Sequence, residues 1–310
     1  MSRFAISLLL ISPLVLLTGC DIEDFGSVNN QTEDFQRTLQ MKPGGRLSVE
    51  NFNGSIEIRG GEGDAVEITG AKHAPTHELL DAIKIDIVSG ADYVRIRTVR
   101  PTDRRGNLGA RYVIRVPRRT ELDRIESSNG SIRVETIEGS ARLKTSNGSV
   151  RVDRLKGAVE AQTSNASIEL LEPGGAAILR TSNGSIRADG VRGAFDATTS
   201  NSRIEARLVE PEAHKPIKLV TSNGSINLTV DSLNDNEIRA STSNSSITLR
   251  LPPSLNAKVI ARTSNGGIQS DYDLTVRGEV SKHHLEGTLG SGGPLIDLST
   301  SNGSVRLMKR

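Results

Sequence analysis

The sequence predicts an all-β chain wound into a single parallel β-helix, a β-solenoid with stacked Asn and Thr ladders, and three observations carry that prediction. A short phrase, Thr/Ser-Ser-Asn-Gly-Ser-Ile with variations, recurs ten times, with its asparagines at Asn53, Asn129, Asn147, Asn165, Asn183, Asn201, Asn223, Asn244, Asn265 and Asn302. From Asn129 to Asn201 the interval is 18 residues four times over, then 22, 21 and 21, a spacing at which self-similarity marks stacked repeats. Aromatic residues make up only 3% of the chain and tryptophan is absent, which excludes a core of large rings. A solenoid needs none, because each rung buries its small and branched aliphatics against its neighbours alone.

The chain opens on Arg3, an apolar run from Phe4 to Leu17, and Leu17-Thr18-Gly19-Cys20. That run is too short to span a bilayer and ends in small residues, so residues 1–19 read as a signal peptide that is removed. Leu17 to Cys20 resemble the lipobox of bacterial lipoproteins, which implies that Cys20 carries the lipid. It is the only cysteine, so no intramolecular disulfide can form. Several acyl chains on Cys20 would anchor the protein without a transmembrane helix. Asp21 follows directly, which in many Gram-negative envelopes implies retention at the periplasmic face of the inner membrane; the outer membrane stays open. Residues 20–40, polar with scattered phenylalanine, read as a flexible tether.

Residues 41–126 read as an irregular β region that caps the solenoid. Gly44 to Val49 lead into Asn53-Gly54-Ser55-Ile56-Glu57-Ile58, a recognisable rung, but 76 residues pass before the next asparagine of the series. Terminal repeats must differ from the rest, because an open row of unpaired strand edges invites aggregation.

Residues 127–310 are the regular solenoid. Three places after each asparagine stand Ile132, Val150, Ile168, Ile186, Ile226, Ile247, Ile268 and Val305; six and four places before it stand pairs such as Ala141 and Leu143, or Ile217 and Leu219. Each rung therefore has one strand entering the Asn-Gly corner and one leaving it. A chain of antiparallel hairpins is the other reading of Asn-Gly between alternating strands, but an 18-residue return to the same corner stacks like on like, which only a parallel helix exploits. The aliphatics do not recur every six residues, and handedness stays open. The second bend is marked by Gly139, Gly157, Gly174-Gly175 and Gly193, where glycine is expected to supply positive φ. About nine rungs at the ~4.8 Å strand spacing make a rod roughly 40 Å long.

Stacking turns repeated residues into ladders. Thr145, Thr163, Thr181, Thr199, Thr221, Thr242, Thr263 and Thr300 form one, and the asparagines from Asn129 to Asn302 form another two residues later. If the asparagines sit at an inward corner, each amide donates to one neighbour and accepts from the other. A repetitive Ser/Thr/Asn face for sugars, ice or mineral is the functional alternative to this structural role. Outward positions such as Arg133, Arg151, Glu169, Arg187 and Glu205 read as a solvated face of mostly alternating charge.

Ten arginines between Arg95 and Arg124 break the charge balance. Arg104, Arg105 and Arg111 are the candidates to hold an anionic ligand, since guanidinium forks match phosphate and carboxylate; charged outward positions are the plainer account. The remaining chemistry is sparse. His283 and His284 point to opposite faces of a strand and make a poor chelate, His73 and His77 would meet only on a helix, and Gly290-Ser291-Gly292-Gly293 lacks the lysine of a phosphate loop. Asp153, Asp189 and Asp196 stand alone in the repeat, so no catalytic residue, metal or cofactor is expected. With 39 basic and 37 acidic residues, the chain lacks the basic excess of a nucleic-acid-binding protein.

Pro43-Gly44-Gly45-Arg46-Leu47, the repeated Thr-Ser-Asn-Gly-Ser-Ile and the closing Thr300-Ser301-Asn302-Gly303-Ser304-Val305 resemble a bacterial family of β-strand-repeat proteins known as candidate adhesins. The resemblance covers roughly residues 40–310 and implies architecture, with no catalytic or binding residues to transfer. The expectation is a non-catalytic, lipid-anchored scaffold of the cell envelope that presents a repetitive face to a glycan or an envelope protein. A carbohydrate-active enzyme on the same scaffold is the alternative.

Overall fold

The structure is a computed structural model and describes residues 30–102, 106–276 and 281–310. It is almost entirely β, with one short helix at His77–Ala82. Two long sheets face each other: an inbound sheet of 14 strands, whose strands lead into the Asn corners, and an outbound sheet of 13 strands that leave them. With the antiparallel strands at the ends set aside, each sheet contributes eleven strands, and so eleven two-stranded rungs and a rod of about 50 Å.

Within the regular part the pairing is parallel and shifts by one repeat. Val150 pairs with Ile132 on one side and Ile168 on the other, and Val159 stands between Ala141 and Ala177. A parallel ladder with an 18-residue offset excludes the hairpin reading. The inward residues of both sheets form one uninterrupted core from Leu47 to Leu307, filled by Ile, Val, Leu and Ala with Phe195 and Tyr112 among its few large rings. Each fully buried Ile or Leu contributes about 1.5–3 kcal/mol relative to exposure.

Rung order departs from chain order at both ends. The strand pair Gly45–Asn51 and Ile56–Gly61, first in the sequence, lies second in the stack, because Tyr93–Val99 and Gly109–Pro117 pair on its far side. The pair Leu295–Ser299 and Val305–Lys309, last in the sequence, inserts between Ile238–Ser241/Ile247–Leu251 and Ala257–Arg262/Ile268–Ser270. The 76-residue and 37-residue gaps are thus chain that runs out to build the end rung and its cap. Residues 41–126 supply two complete rungs that share the core with the regular ones.

Antiparallel strands cap both ends. Lys84–Ser89 pairs with Tyr93–Val99, Ala65–Ala74 with Gly109–Pro117, and His284–Leu289 with Ala257–Arg262. Gln31–Gln40, expected to belong to the tether, is instead a strand paired along its whole length with Ala65–Ala74. Phe35 holds it there: its ring fills the space over Gly70 and meets Tyr112 edge-on at 6.0 Å between centroids. The helix is capped by the Thr76 hydroxyl, which accepts from the Leu79 N–H at 3.3 Å, and buries Leu80 beside Ala74, Ile83 and Leu108.

The second bend corrects an expectation. Gly139, Gly157, Gly175 and Gly193 do not have positive φ; the left-handed position lies before them, at Thr136, Arg154, Glu172 and Gly190 with φ of 58°, 53°, 48° and 76°. Glycine is needed afterwards for close approach, since a Cβ on Gly157 would collide with the backbone of Gly139, and one on Gly175 with that of Gly157. Among the described residues no helix is long and apolar enough to cross a membrane.

Candidate binding edge

The Asn corners stack into one edge of the rod, and alternation decides what it shows. The inward positions six and four places before each asparagine continue in phase to the threonine two places before it. Thr145, Thr163, Thr181, Thr199, Thr221, Thr242, Thr263 and Thr300 are accordingly buried, with Ser127 in the same place one rung earlier. Each hydroxyl donates to the carbonyl one place after the previous rung's asparagine: Thr145 to Gly130 at 2.9 Å, Thr163 to Gly148 at 2.9 Å, Thr242 to Gly224 at 2.8 Å. Several also accept from their own corner, as Thr145 does from the Gly148 N–H at 3.3 Å. The hydroxyl thus takes up backbone groups that burial would otherwise leave unpaired at a cost of about 1–3 kcal/mol each.

The ladder asparagines from Asn129 to Asn302 are exposed, which overturns the inward placement. They nevertheless form the expected ladder, each Nδ2 donating to the Oδ1 of the previous rung. Asn147 donates to Asn129 at 2.7 Å, and the series continues through Asn165, Asn183, Asn201, Asn223 and Asn244 at 2.6–2.8 Å. It then follows spatial order, with Asn302 on Asn244 and Asn265 on Asn302, both at 2.7 Å. In the second rung Asn53 turns away and donates to the Leu108 carbonyl at 2.9 Å. Asn51 takes the threonine's place there, its Nδ2 reaching the Ala110 carbonyl at 2.7 Å.

Beside the asparagines runs a row of exposed serines: Ser128, Ser146, Ser164, Ser182, Ser200 and their equivalents on later rungs. Their backbone carbonyls take the corner N–H groups of the next rung, as Ser128 does from Asn147 at 3.0 Å, and no protein hydrogen bond to their hydroxyls occurs among the described residues. Every serine therefore keeps a free hydroxyl, and every ladder asparagine a spare N–H and a spare lone pair, repeated at ~4.8 Å along the rod. The row was legible as a repeat; its exposure could have been read by extending the alternation through the corner.

Among the described residues the arginine run divides between the two sheets. Arg95 and Arg97 lie on the outer face of the inbound sheet, whereas Arg111 and Arg115 lie on the outer face of the outbound sheet. Arg118 pairs with Glu62 at 2.9 Å, Arg119 with Glu138 at 3.5 Å and Arg124 with Glu126 at 3.0 Å. Strand alternation scatters what the sequence clusters. Arg111 stands near His73, whose imidazole is held below its usual 6.5 by burial and by that guanidinium. Arg104, Arg105 and Cys20 lie outside the described residues.

The far bend carries a groove of about 850 Å³ between charged ladders. Its ions answer one another: Lys156 bonds Glu138 at 2.8 Å, holding that carboxyl below its ordinary range, Arg154 lies 2.8 Å from Asp153, and Arg192 lies 3.2 Å from Glu210. On the outer sheets Arg151 pairs with Glu169 across rungs and Asp196 lies 3.8 Å from Arg180. Among the described residues no group of three or more His, Cys, Asp or Glu is placed to hold a metal ion.

A two-sheet parallel solenoid with polar corner ladders is thus the class of protein these features define. The chain belongs to the Toastrack DUF4097 family, whose model matches residues 45–308. Among solved structures it is similar to a candidate cell adhesion protein from Clostridium sporogenes ATCC 15579, at 12% identity over 90% of this chain and all of that one, with a TM-score of 0.24. Candidate adhesins from Bacteroides fragilis NCTC 9343 (9% identity, TM-score 0.25) and Parabacteroides distasonis ATCC 8503 (7%, 0.28) each align over 90% of this chain and 97% of theirs. No curated protein gives a significant match.

Proposed function

We propose that the protein is a non-catalytic binding scaffold of the cell envelope, anchored through lipid on Cys20, whose Ser/Asn edge contacts a glycan. The observation that carries this reading is the unused hydrogen-bonding capacity of the edge. Serine hydroxyls and half-used amides stand on a rigid array, with little side-chain entropy left to lose on binding. Sugar hydroxyls are donors and acceptors at once and suit such a surface. The paired ions of the far bend, Lys156 with Glu138 and Arg192 with Glu210, favour the edge over that groove as the contact. Asp21 supports the periplasmic face of the inner membrane as the place of anchoring.

A glycan array probed with the full chain in detergent tests this, with the bound glycans assayed for cleavage. Binding without cleavage is expected. It should fall when Ser146, Ser164 and Ser182 are replaced together by alanine, while the melting temperature holds, because their hydroxyls support no part of the corner. Cleavage would instead establish a carbohydrate-active enzyme, and undiminished binding by the triple variant would remove the edge as the contact.

A further inference from the structure

At the end of the Ser/Asn edge nearest the N-terminal cap, the corner opens into a groove of about 460 Å³ that Ser128 and Ser146 share with Arg97, Arg100 and Lys144. The charge in this groove is unbalanced. Its two carboxylates, Glu50 and Glu126, are both served by Arg124, at 3.6 Å and 3.0 Å. Arg97, Arg100 and Lys144 are left with no ion pair among the described residues, although Glu50 pairs with Arg97 and Glu126 with Lys144 in backbone register. Arg100 is positioned by Phe52, its guanidinium carbon 5.9 Å from the ring centroid.

A second observation points to the same end. All eight hydrogen bonds of the asparagine ladder run in one sense, Nδ2 towards the Asn129 end, so their amide dipoles add as peptide dipoles do along a helix. The positive pole lies at Asn129, whose amide N–H has no acceptor among the described residues, one residue from Ser128 in the groove. Cations and dipole therefore favour an anion at the place where the hydroxyl row begins.

We propose that this groove binds the carboxylate or phosphate group of an acidic glycan lying along the Ser/Asn edge, with Arg97, Arg100 and Lys144 as its charge contacts. This rests on the reading of that edge as a glycan contact. Arginine forks match both anions, and binding through exposed cations weakens with salt.

The test is calorimetric titration of the full chain in detergent with oligogalacturonate, a phosphorylated oligomannan and a length-matched neutral oligosaccharide, at low and high salt. The expected result is a preference for one or both acidic glycans that salt removes. The combined variant Arg97→Gln, Arg100→Gln and Lys144→Gln should lose about tenfold in affinity for them, as three exposed charge contacts would give, and keep its affinity for the neutral one. All three side chains are exposed, so the variant should melt as the parent does, and Arg187→Gln with Arg239→Gln and Arg250→Gln serves as a control of equal charge. Equal loss in that control, or equal binding of acidic and neutral glycans, would overturn the groove and leave the edge standing. Absence of all glycan binding would overturn both. Capture of phosphatidylglycerol vesicles through the three residues, with no acidic-glycan preference, would make the ligand a lipid surface and overturn the proposal.

Discussion

Asn302 donates its Nδ2 to the Oδ1 of Asn244 at 2.7 Å across 58 residues of sequence, and Asn265, which lies between them in the chain, stacks on the other side of Asn302. The last strand of the chain is thus held on both edges, by Ile247–Leu251 and by Ile268–Ser270. Removing Val305–Arg310 should open a gap inside the solenoid and release the end rung, seen as a lowered melting temperature in circular dichroism and early proteolysis beyond Ala257. Leu307→Ala alone should cost about 2–5 kcal/mol. A truncated chain that melts like the parent would refute the inserted order.

The two polar ladders should respond differently to loss of their side chains. Thr145→Val keeps the shape but leaves the Gly130 carbonyl and the Gly148 N–H unpaired in the core, a cost of about 1–3 kcal/mol in urea unfolding. Asn147→Ala removes an exposed amide that water can replace and should cost under about 1 kcal/mol.

From Gly148 to Gly303 the place after the asparagine alternates in space between glycine and a larger residue. Ala166, Ser202 and Ser245 stand there, and each is flanked above and below by glycine: Gly148 and Gly184, Gly184 and Gly224, Gly224 and Gly303. A Cβ on Gly184 would collide with the Ala166 carbonyl oxygen. Gly184→Ala should therefore destabilise by about 1–3 kcal/mol through a forced backbone shift. Thermal unfolding of that variant beside Ala166→Gly would separate this from a simple glycine effect, because the second change should cost only about 0.5–1 kcal/mol.

Burial pushes the Tyr112 hydroxyl up to about 12, against the opposing effect of its 2.6 Å hydrogen bond with Thr98. The folded state therefore holds its proton more tightly than the unfolded state, which releases it near 10. Stability is fully present below pH 10 and should fall as pH rises towards about 12. Denaturant midpoints across that interval, compared with Tyr112→Phe, would show it; the variant should lose part of the dependence.

His73 carries the opposite dependence. With its folded value held below 6.5, the unfolded state binds the proton first, so stability falls as pH drops through that value. Arg111→Gln removes one of the two causes and should raise the imidazole's titration midpoint in NMR, with burial keeping it below 6.5.

The regular rungs were legible because repetition and alternation are local. Val150, Ile168 and Ile186 share one place in an 18-residue period, and a parallel sheet needs only that equivalence to stack them. The exposed edge was half legible. Its residues were identified, but threonine and asparagine are both polar, and their sides were separable only by carrying the alternation through the corner. The basic groove was not legible, because Arg97 and Arg100 come from one rung and Lys144 from another three rungs down the stack, while Arg111, a near neighbour in sequence, faces the opposite way.

By itself, the sequence determined the kind of rung, its two strands and the ladders of like residues, since these follow from the period and the size of the side chains. Only the tertiary structure decided the order of the rungs at the ends. The Asn corners of the ladder are chemically alike, so nothing local tells Asn302 to insert between Asn244 and Asn265 rather than stack beyond Asn265. That choice falls to the caps, whose antiparallel strands must cover the exposed edges at both ends and so place the first and last strand pairs one rung inside the stack.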